Sequence, residues 1–363
     1  MRWLPITSCR SGMKLAKSVY SEEGLILLGA HVELNDSYIQ RLKDMGVGFV
    51  YIEDQETEGI EAPNLLSDQT RQEANYRIRK EFKSLMGKDM IKSRVGSSHL
   101  GKTFSPVLDQ IIDDLSSHQE AMVMLGDIQA TDDYIFRHSL NVCVYTTLFG
   151  LRYGYEREEL KQLSMGAMLH DIGKTQLNQK VLKKPGKLTE EEYQHVKLHT
   201  EYGFRILKDE PNIPLVVAHC AFQHHERLNG SGYPRGIGET GIHEFAKWIA
   251  IADSYDAMTT HRVYRNARMP HEALEILYTG AGTLYDQAML CLFRDTIAVY
   301  PLGMTVQLST GESGVVAKLN PIYPQRPVIR LLTDPDGVPY ADLREKDLAE
   351  SLNITILGAK FDI

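Results

Sequence analysis

His170 and Asp171 follow directly on the apolar run Met165–Leu169 (MGAML), and no other feature constrains the fold of this chain as much. A helix with that pattern belongs in a core, so the imidazole and carboxylate at its end are buried with it. An ionised carboxylate leaves water at high cost unless a cation or hydrogen bonds compensate it. The arrangement recurs. Asp253 closes the run Trp248–Ala252 (WIAIA), and His224-His225-Glu226 stands at a helix end, just before the glycine-rich loop Asn229–Gly241. His138 lies on a predicted helix that carries Leu140, Val142, Val144 and Leu148, and His199 has Gly203 four residues on, which permits close helix approach. His195, among Tyr193, Gln194 and Lys197, reads as solvated. Imidazole and carboxylate together suit a first-row divalent ion such as iron, manganese or zinc. So many candidate ligands exceed what one ion needs, and two ions sharing a carboxylate, roughly 3.5–4 Å apart, are the economical reading. Lys174 stands four residues after His170 and three after Asp171, spacings that share a helical face. An ammonium beside a ligand pair makes sense if an anionic substrate sits between them.

The surrounding pattern predicts a mainly α chain. Residues 1–66 read as a small α/β unit, with strands at Gly24–Leu28 and Phe49–Ile52 and a helix over Leu34–Asp44. Residues 67–102 read as a connector, helical from Ser67 to about Lys88. Residues 103–298 form an all-helical core, with helices over Phe104–Met124, Asp132–Tyr153, Arg157–His170 and Phe245–Thr260. Thr189, with Glu192 three residues on, is a capping box that opens a further helix. Residues 299–363 switch to period two, with strands at Thr305–Leu308, Gly314–Leu319 and Pro327–Leu332, and read as a β-rich domain.

Composition excludes several functions. With 40 Lys and Arg against 48 Asp and Glu, the net charge of −8 disfavours a protein that coats long nucleic acids, which must neutralise many phosphates. A small phosphate ligand needs only a few placed cations. The four cysteines are scattered with no C-x-x-C pair, so a thiolate zinc site is not expected and the thiols read as reduced and cytoplasmic. No signal peptide and no membrane span are expected.

The motif set as a whole resembles the HD-GYP branch of the HD phosphohydrolase superfamily. It comprises His170-Asp171-Ile172-Gly173-Lys174, His199, His224-His225-Glu226, Gly232-Tyr233-Pro234, and Asp253 within IADSYDAMT, in that order. The resemblance covers about residues 103–298 and implies metal-dependent hydrolysis of cyclic di-GMP to pGpG, GMP or both, by hydroxide generated at a binuclear site. It implies two divalent ions, iron or manganese first, with zinc, nickel or magnesium as alternatives. The implied ligands are His138, His170, Asp171, His199, His224, His225 and Asp253, with Asp171 as the bridge. Lys174 is implied at the scissile phosphate or leaving oxygen, and Gly232, Tyr233, Asp256, Arg262 and Arg265 near the substrate. Three-metal members carry a glutamate where Tyr134 stands here, so two ions are expected. Asn229 and His261 stand where the family often has aspartate. Expected partners are the cyclic dinucleotide, a second copy of the chain, and a diguanylate cyclase or other signalling protein. The alternatives are a receptor or adaptor that binds cyclic di-GMP without turnover, and a phosphohydrolase for another cyclic dinucleotide or a linear nucleotide.

Overall fold

A computed structural model describes residues 1–21, 25–86, 99–117, 134–184, 186–260 and 267–360, with Tyr134 described in its backbone alone. Gly24, the end of the helix expected to reach Met124, Asp132, Asp133, His261, Arg262 and Arg265 therefore lie outside the described residues.

The N-terminal segment pairs β1 (Arg2–Pro5) antiparallel with β4 (Phe49–Ile52), and β2 (Val19–Tyr20) with β3 (Ile26–Leu28). Between them runs α1 (Asp36–Asp44), capped by the Asn35 side chain, which accepts from the Tyr38 amide at 2.8 Å. The C-terminal segment is one antiparallel sheet of order β8-β7-β6-β5-β9: β5 (Thr305–Leu308), β6 (Ser313–Lys318), β7 (Val328–Thr333), β8 (Pro339–Asp347) and β9 (Ile356–Ala359). The last two strands were not anticipated. β8 is mostly solvent-facing and reads PYADLREKD, without the apolar alternation that marks a half-buried strand.

The helical elements are α2 (Asp68–Leu85), α3 (Leu100–Ser116), α4 (Tyr134–Tyr153), α5 (Arg157–Leu169), α6 (Gln179–Leu182), α7 (Glu190–Lys197), α8 (His199–Leu207), α9 (Leu215–Gln223), α10 (Glu244–Thr259), α11 (Pro270–Tyr278) and α12 (Gln287–Thr296). α7 opens on the expected capping box: Glu192 accepts from the Thr189 amide at 2.7 Å, and Thr189 Oγ1 accepts from the Glu192 amide at 3.2 Å. One long helix through His195 and His199 is not formed. The chain breaks at Leu198, and His199 starts α8.

Apolar side chains gather in two clusters. The larger fills the space between α2, α3, α4, α5, α9, α10, α11 and α12, with Phe104, Phe149, Trp248 and Phe293 fully buried. Within the stretch expected to be a connector, α2 buries Ala74, Ile78 and Phe82 in this core. The smaller cluster joins the two ends of the chain. Trp3, Leu4 and Val50 pack with Met304, Val306, Val315 and Ile329, and the Trp3 amide donates to Gly303 O at 2.9 Å. The N-terminal strands and the C-terminal sheet thus share one core. No helix among the described residues is long and apolar enough to cross a membrane.

Candidate metal centre

Each expected ligand sits at or near an element terminus or on a buried helix face. His138 projects from α4, and His170 caps the C-terminus of α5 with Asp171 next to it. The chain then tightens into a 3-10 turn, Ile172–Gln176, that carries Lys174. His199 opens α8, His224 caps α9 with His225 following, and Asp253 faces inward from α10. The structure brings all seven together. His138 Nε2 lies 3.0 Å from Asp253 Oδ1 and 3.3 Å from His170 Nε2. On the other side His199 Nε2 lies 3.3 Å from His224 Nε2, and His225 Nδ1 is 3.8 Å from Asp253 Oδ2.

Asp171 stands between the two halves. Its Oδ2 is 3.4 Å from His170 Nε2 and 3.6 Å from His138 Nε2, while its Oδ1 is 3.5 Å from His199 Nε2 and 3.8 Å from His224 Nε2. The donor atoms of His138, His170 and Asp171 are mutually close enough to hold one ion, and those of His199, His224 and His225 another.

Hydrogen bonds set the ring tautomers. His170 Nδ1 donates to Ala167 O at 2.6 Å, His199 Nδ1 to Val196 O at 2.7 Å, and His224 Nδ1 to Ala221 O at 3.0 Å. A carbonyl only accepts, so these Nδ1 atoms carry the proton and Nε2 is left with its lone pair, the state in which imidazole binds metal. Burial lowers His199 to about 4. Burial and neighbouring histidines take His224 and His225 well below the usual range. Two neutral imidazoles with lone pairs facing at 3.3 Å repel unless a cation lies between them. Asp171 Oδ1 is buried and has no hydrogen-bond partner. For Asp171, burial opposes the charge, but Lys174 and the histidines outweigh it and hold the carboxyl well below the carboxylate range. The donor set therefore fits a pair of divalent cations.

Among the described residues, the centre reaches solvent at Asp253, His225 and Lys174. His138, His170, Asp171, His199 and His224 are sealed, while the side chains of Asp253, His225 and Lys174 remain 11%, 18% and 18% exposed. Lys174 Nζ donates to Asp171 Oδ2. Tyr233 stacks on His225 at 4.6 Å between centroids. Gly230 takes φ +78, a left-handed turn conformation that favours glycine, whereas Gly232 serves space rather than conformation. A Cβ there would lie 2.4 Å from both Glu226 Cα and His225 O, so only glycine lets the loop pack this closely on the end of α9.

Asp256, expected near substrate, contacts His138 and Asn141. It is buried, its Oδ2 accepts from His138 Nδ1 at 2.7 Å, and its Oδ1 accepts from Asn141 Nδ2 at 2.8 Å. It stands behind a candidate ligand, three residues after Asp253 on the same helix, a spacing that carried this signal in the sequence. Glu226 follows the two histidines of the motif, and the sequence alone assigns it no role. It is buried and accepts from the Arg235 and Ile237 amides at 2.8 and 3.2 Å, holding the loop against the centre.

A family model for the HD domain matches residues 107–289, just over half of the chain. This chain belongs to the HD domain family. A second model, a KOW domain associated with the HD domain, matches residues 305–360, the C-terminal sheet. The HD chain is 31% identical over 212 residues to a cyclic di-GMP phosphodiesterase of Pseudomonas aeruginosa, covering 58% of this chain and 51% of that protein. It is 35% identical over 207 residues to a cyclic di-GMP phosphodiesterase of Thermotoga maritima, covering 55% of each. It is 33% identical over 198 residues to a 3'3'-cGAMP-specific phosphodiesterase of Vibrio cholerae, covering 53% of this chain and 44% of that one. The chain thus spans about half the length of the curated relatives it matches. Among solved structures, an HDG"Y"P protein from Bdellovibrio bacteriovorus shares the fold at a TM-score of 0.52 and 17% identity, over 81% of this HD chain and 98% of that one.

Proposed function

We propose that this HD chain is a metal-dependent phosphodiesterase that hydrolyses cyclic di-GMP to pGpG, GMP or both. The observation that carries the reading is the division of Asp171 between two histidine sets, Oδ2 toward His138 and His170 and Oδ1 toward His199 and His224. Two divalent ions, iron or manganese, held by those residues with His225 and Asp253 would supply a nucleophilic water at neutral pH and offset charge on the phosphate.

This chain's residues do the rest. Neutral His199, His224 and His225 present lone pairs without first losing a proton. Lys174 stands at the open side, where it balances negative charge growing on the phosphate oxygens as water attacks phosphorus and the ribose oxygen leaves with a proton. The sealed floor excludes bulk water, which strengthens each of these interactions. Gly232 and Tyr233 line the approach, and Arg262 and Arg265 are proposed as phosphate contacts. The curated relatives named as cyclic di-GMP phosphodiesterases support the substrate class. A second reading, 3'3'-cGAMP as substrate, is supported by the relatives of that name.

The test is metal analysis of protein purified without air, followed by hydrolysis of cyclic di-GMP, 3'3'-cGAMP and cyclic di-AMP by the same sample. The expected result is about two ions per chain and turnover that disappears in His170→Ala and Asp171→Ala. Metal-replete wild type that binds cyclic di-GMP and releases no product would make it a receptor instead.

A further inference from the structure

Lys197 sits between two aromatic rings at the open side of the centre. Its Nζ lies 4.6 Å from the Tyr193 centroid and 5.4 Å from the Tyr233 centroid. Tyr193 and Lys197 are one turn apart on α7 and share a face. Tyr193 is 43% exposed. A row of His225, Tyr233, Lys197 and Tyr193 thus leads from a candidate ligand to solvent, on the side where His225 and Asp253 are themselves accessible.

In the sequence these two residues are only neighbours of His195, which reads as solvated. The pair is joined to the centre through Tyr233 and His225, and a purine has needs that this pair meets. A base offers a flat apolar face, for which an exposed tyrosine ring is a stacking partner. Guanine also presents two acceptors, O6 and N7, on one edge, whereas adenine presents an acceptor and a donor there. An ammonium donates to the first edge and opposes the amino group of the second.

We propose that Tyr193 and Lys197 form a purine-base subsite that reads guanine, with the Tyr193 ring against the base plane and the Lys197 ammonium on O6 and N7. This rests on the cyclic dinucleotide reading above, because a base must hang from the phosphodiester at the centre. The subsite holds the base and so sets affinity and base preference, not the chemical step.

The experiment compares metal-loaded wild type with Tyr193→Ala, Tyr193→Phe and Lys197→Met. Steady-state hydrolysis is measured with cyclic di-GMP, cyclic di-AMP and the base-free diester bis(p-nitrophenyl) phosphate, and pGpG binding by calorimetry. Losing one stacked base weakens binding by about tenfold. Tyr193→Ala is therefore expected to raise KM for cyclic di-GMP and Kd for pGpG by about that factor, with a much smaller change in kcat, and Tyr193→Phe to restore both. Lys197→Met is expected to narrow the preference for cyclic di-GMP over cyclic di-AMP by about tenfold. Equal losses on the base-free diester, or unchanged KM, Kd and base preference, overturn the subsite. Wild type that binds pGpG but hydrolyses no cyclic dinucleotide overturns the hydrolytic reading alone. The subsite is then judged by calorimetry, where equal Kd values for wild type and variants reject it.

Discussion

A methyl group on Gly173 would fall 1.9 Å from the carbonyl oxygen of His199 and 2.5 Å from the amide nitrogen of Gly203. The turn that follows Asp171 is thus pressed against the first turn of α8, and this contact sets the reach between the Asp171 carboxylate and the His199 ring. Gly173→Ala is expected to destabilise the protein by about 1–3 kcal/mol through overpacking and to lower its metal content. Thermal unfolding and metal analysis of the purified variant check both. A variant with wild-type stability and metal content would mean the turn yields freely.

Asp256 fixes His138 from behind. Asp256→Ala removes the acceptor of the His138 Nδ1 proton, and loss of such a partner weakens metal affinity by about 10–100-fold. Competition against a chelator measures it. Unchanged metal affinity with a raised KM for cyclic di-GMP would return Asp256 to the substrate role expected from the sequence.

Stability of the metal-free protein is expected to depend on pH in two directions. Burial holds His199 at about 4, with His224 and His225 also lowered, while an unfolded histidine titrates near about 6.5. As pH falls from about 6.5 toward 4, the unfolded chain takes up protons that the folded site refuses, so stability falls. His138 acts oppositely. Burial works against its charge, but hydrogen bonds to Asp253 and Asp256 outweigh this and raise it to about 9. Its contribution is complete below about 6.5 and is lost as pH rises through 9. Denaturant unfolding of chelator-treated protein should therefore give a maximum near about pH 6.5, and a profile flat from 4 to 9 contradicts it.

Trp3 ties the two ends of the chain together. It is buried, stacks on Phe49 with centroids 4.0 Å apart, and pairs through its backbone with Gly303. Trp3→Ala should destabilise the smaller core by about 3–5 kcal/mol. Hydrogen exchange should then rise in the N-terminal strands and in residues 305–360, while the helical core keeps its protection and its metal. Uniform loss of protection throughout the chain would show that the two cores unfold as one.

Much of the centre was legible in the sequence because it breaks a pattern. An apolar run ending in His170-Asp171 or in Asp253 announces a buried polar group, and Thr189 with Glu192 announces a helix start. Other features left no such mark. β8 carries its charges to solvent on both faces over much of its length, so no period betrays it. The break at Leu198 lies inside an uninterrupted helical pattern. Tyr193 and Lys197 look like any solvated helix face until Tyr233 is placed beside them.

By itself the sequence determined which residue types are buried at the helix ends, since hydrophobic periodicity is local and a histidine or carboxylate within it must find a cation or hydrogen-bond partners. Only the tertiary structure decided how they are shared. The two oxygens of Asp171 serve two histidine sets because α4, α5, α8 and α9 meet at one point, and the angles at which helices pack depend on side chains far apart in the chain. The same packing put Asp256 behind His138, and closed the N-terminal strands onto the C-terminal sheet, a union of apolar faces that neither segment specifies alone.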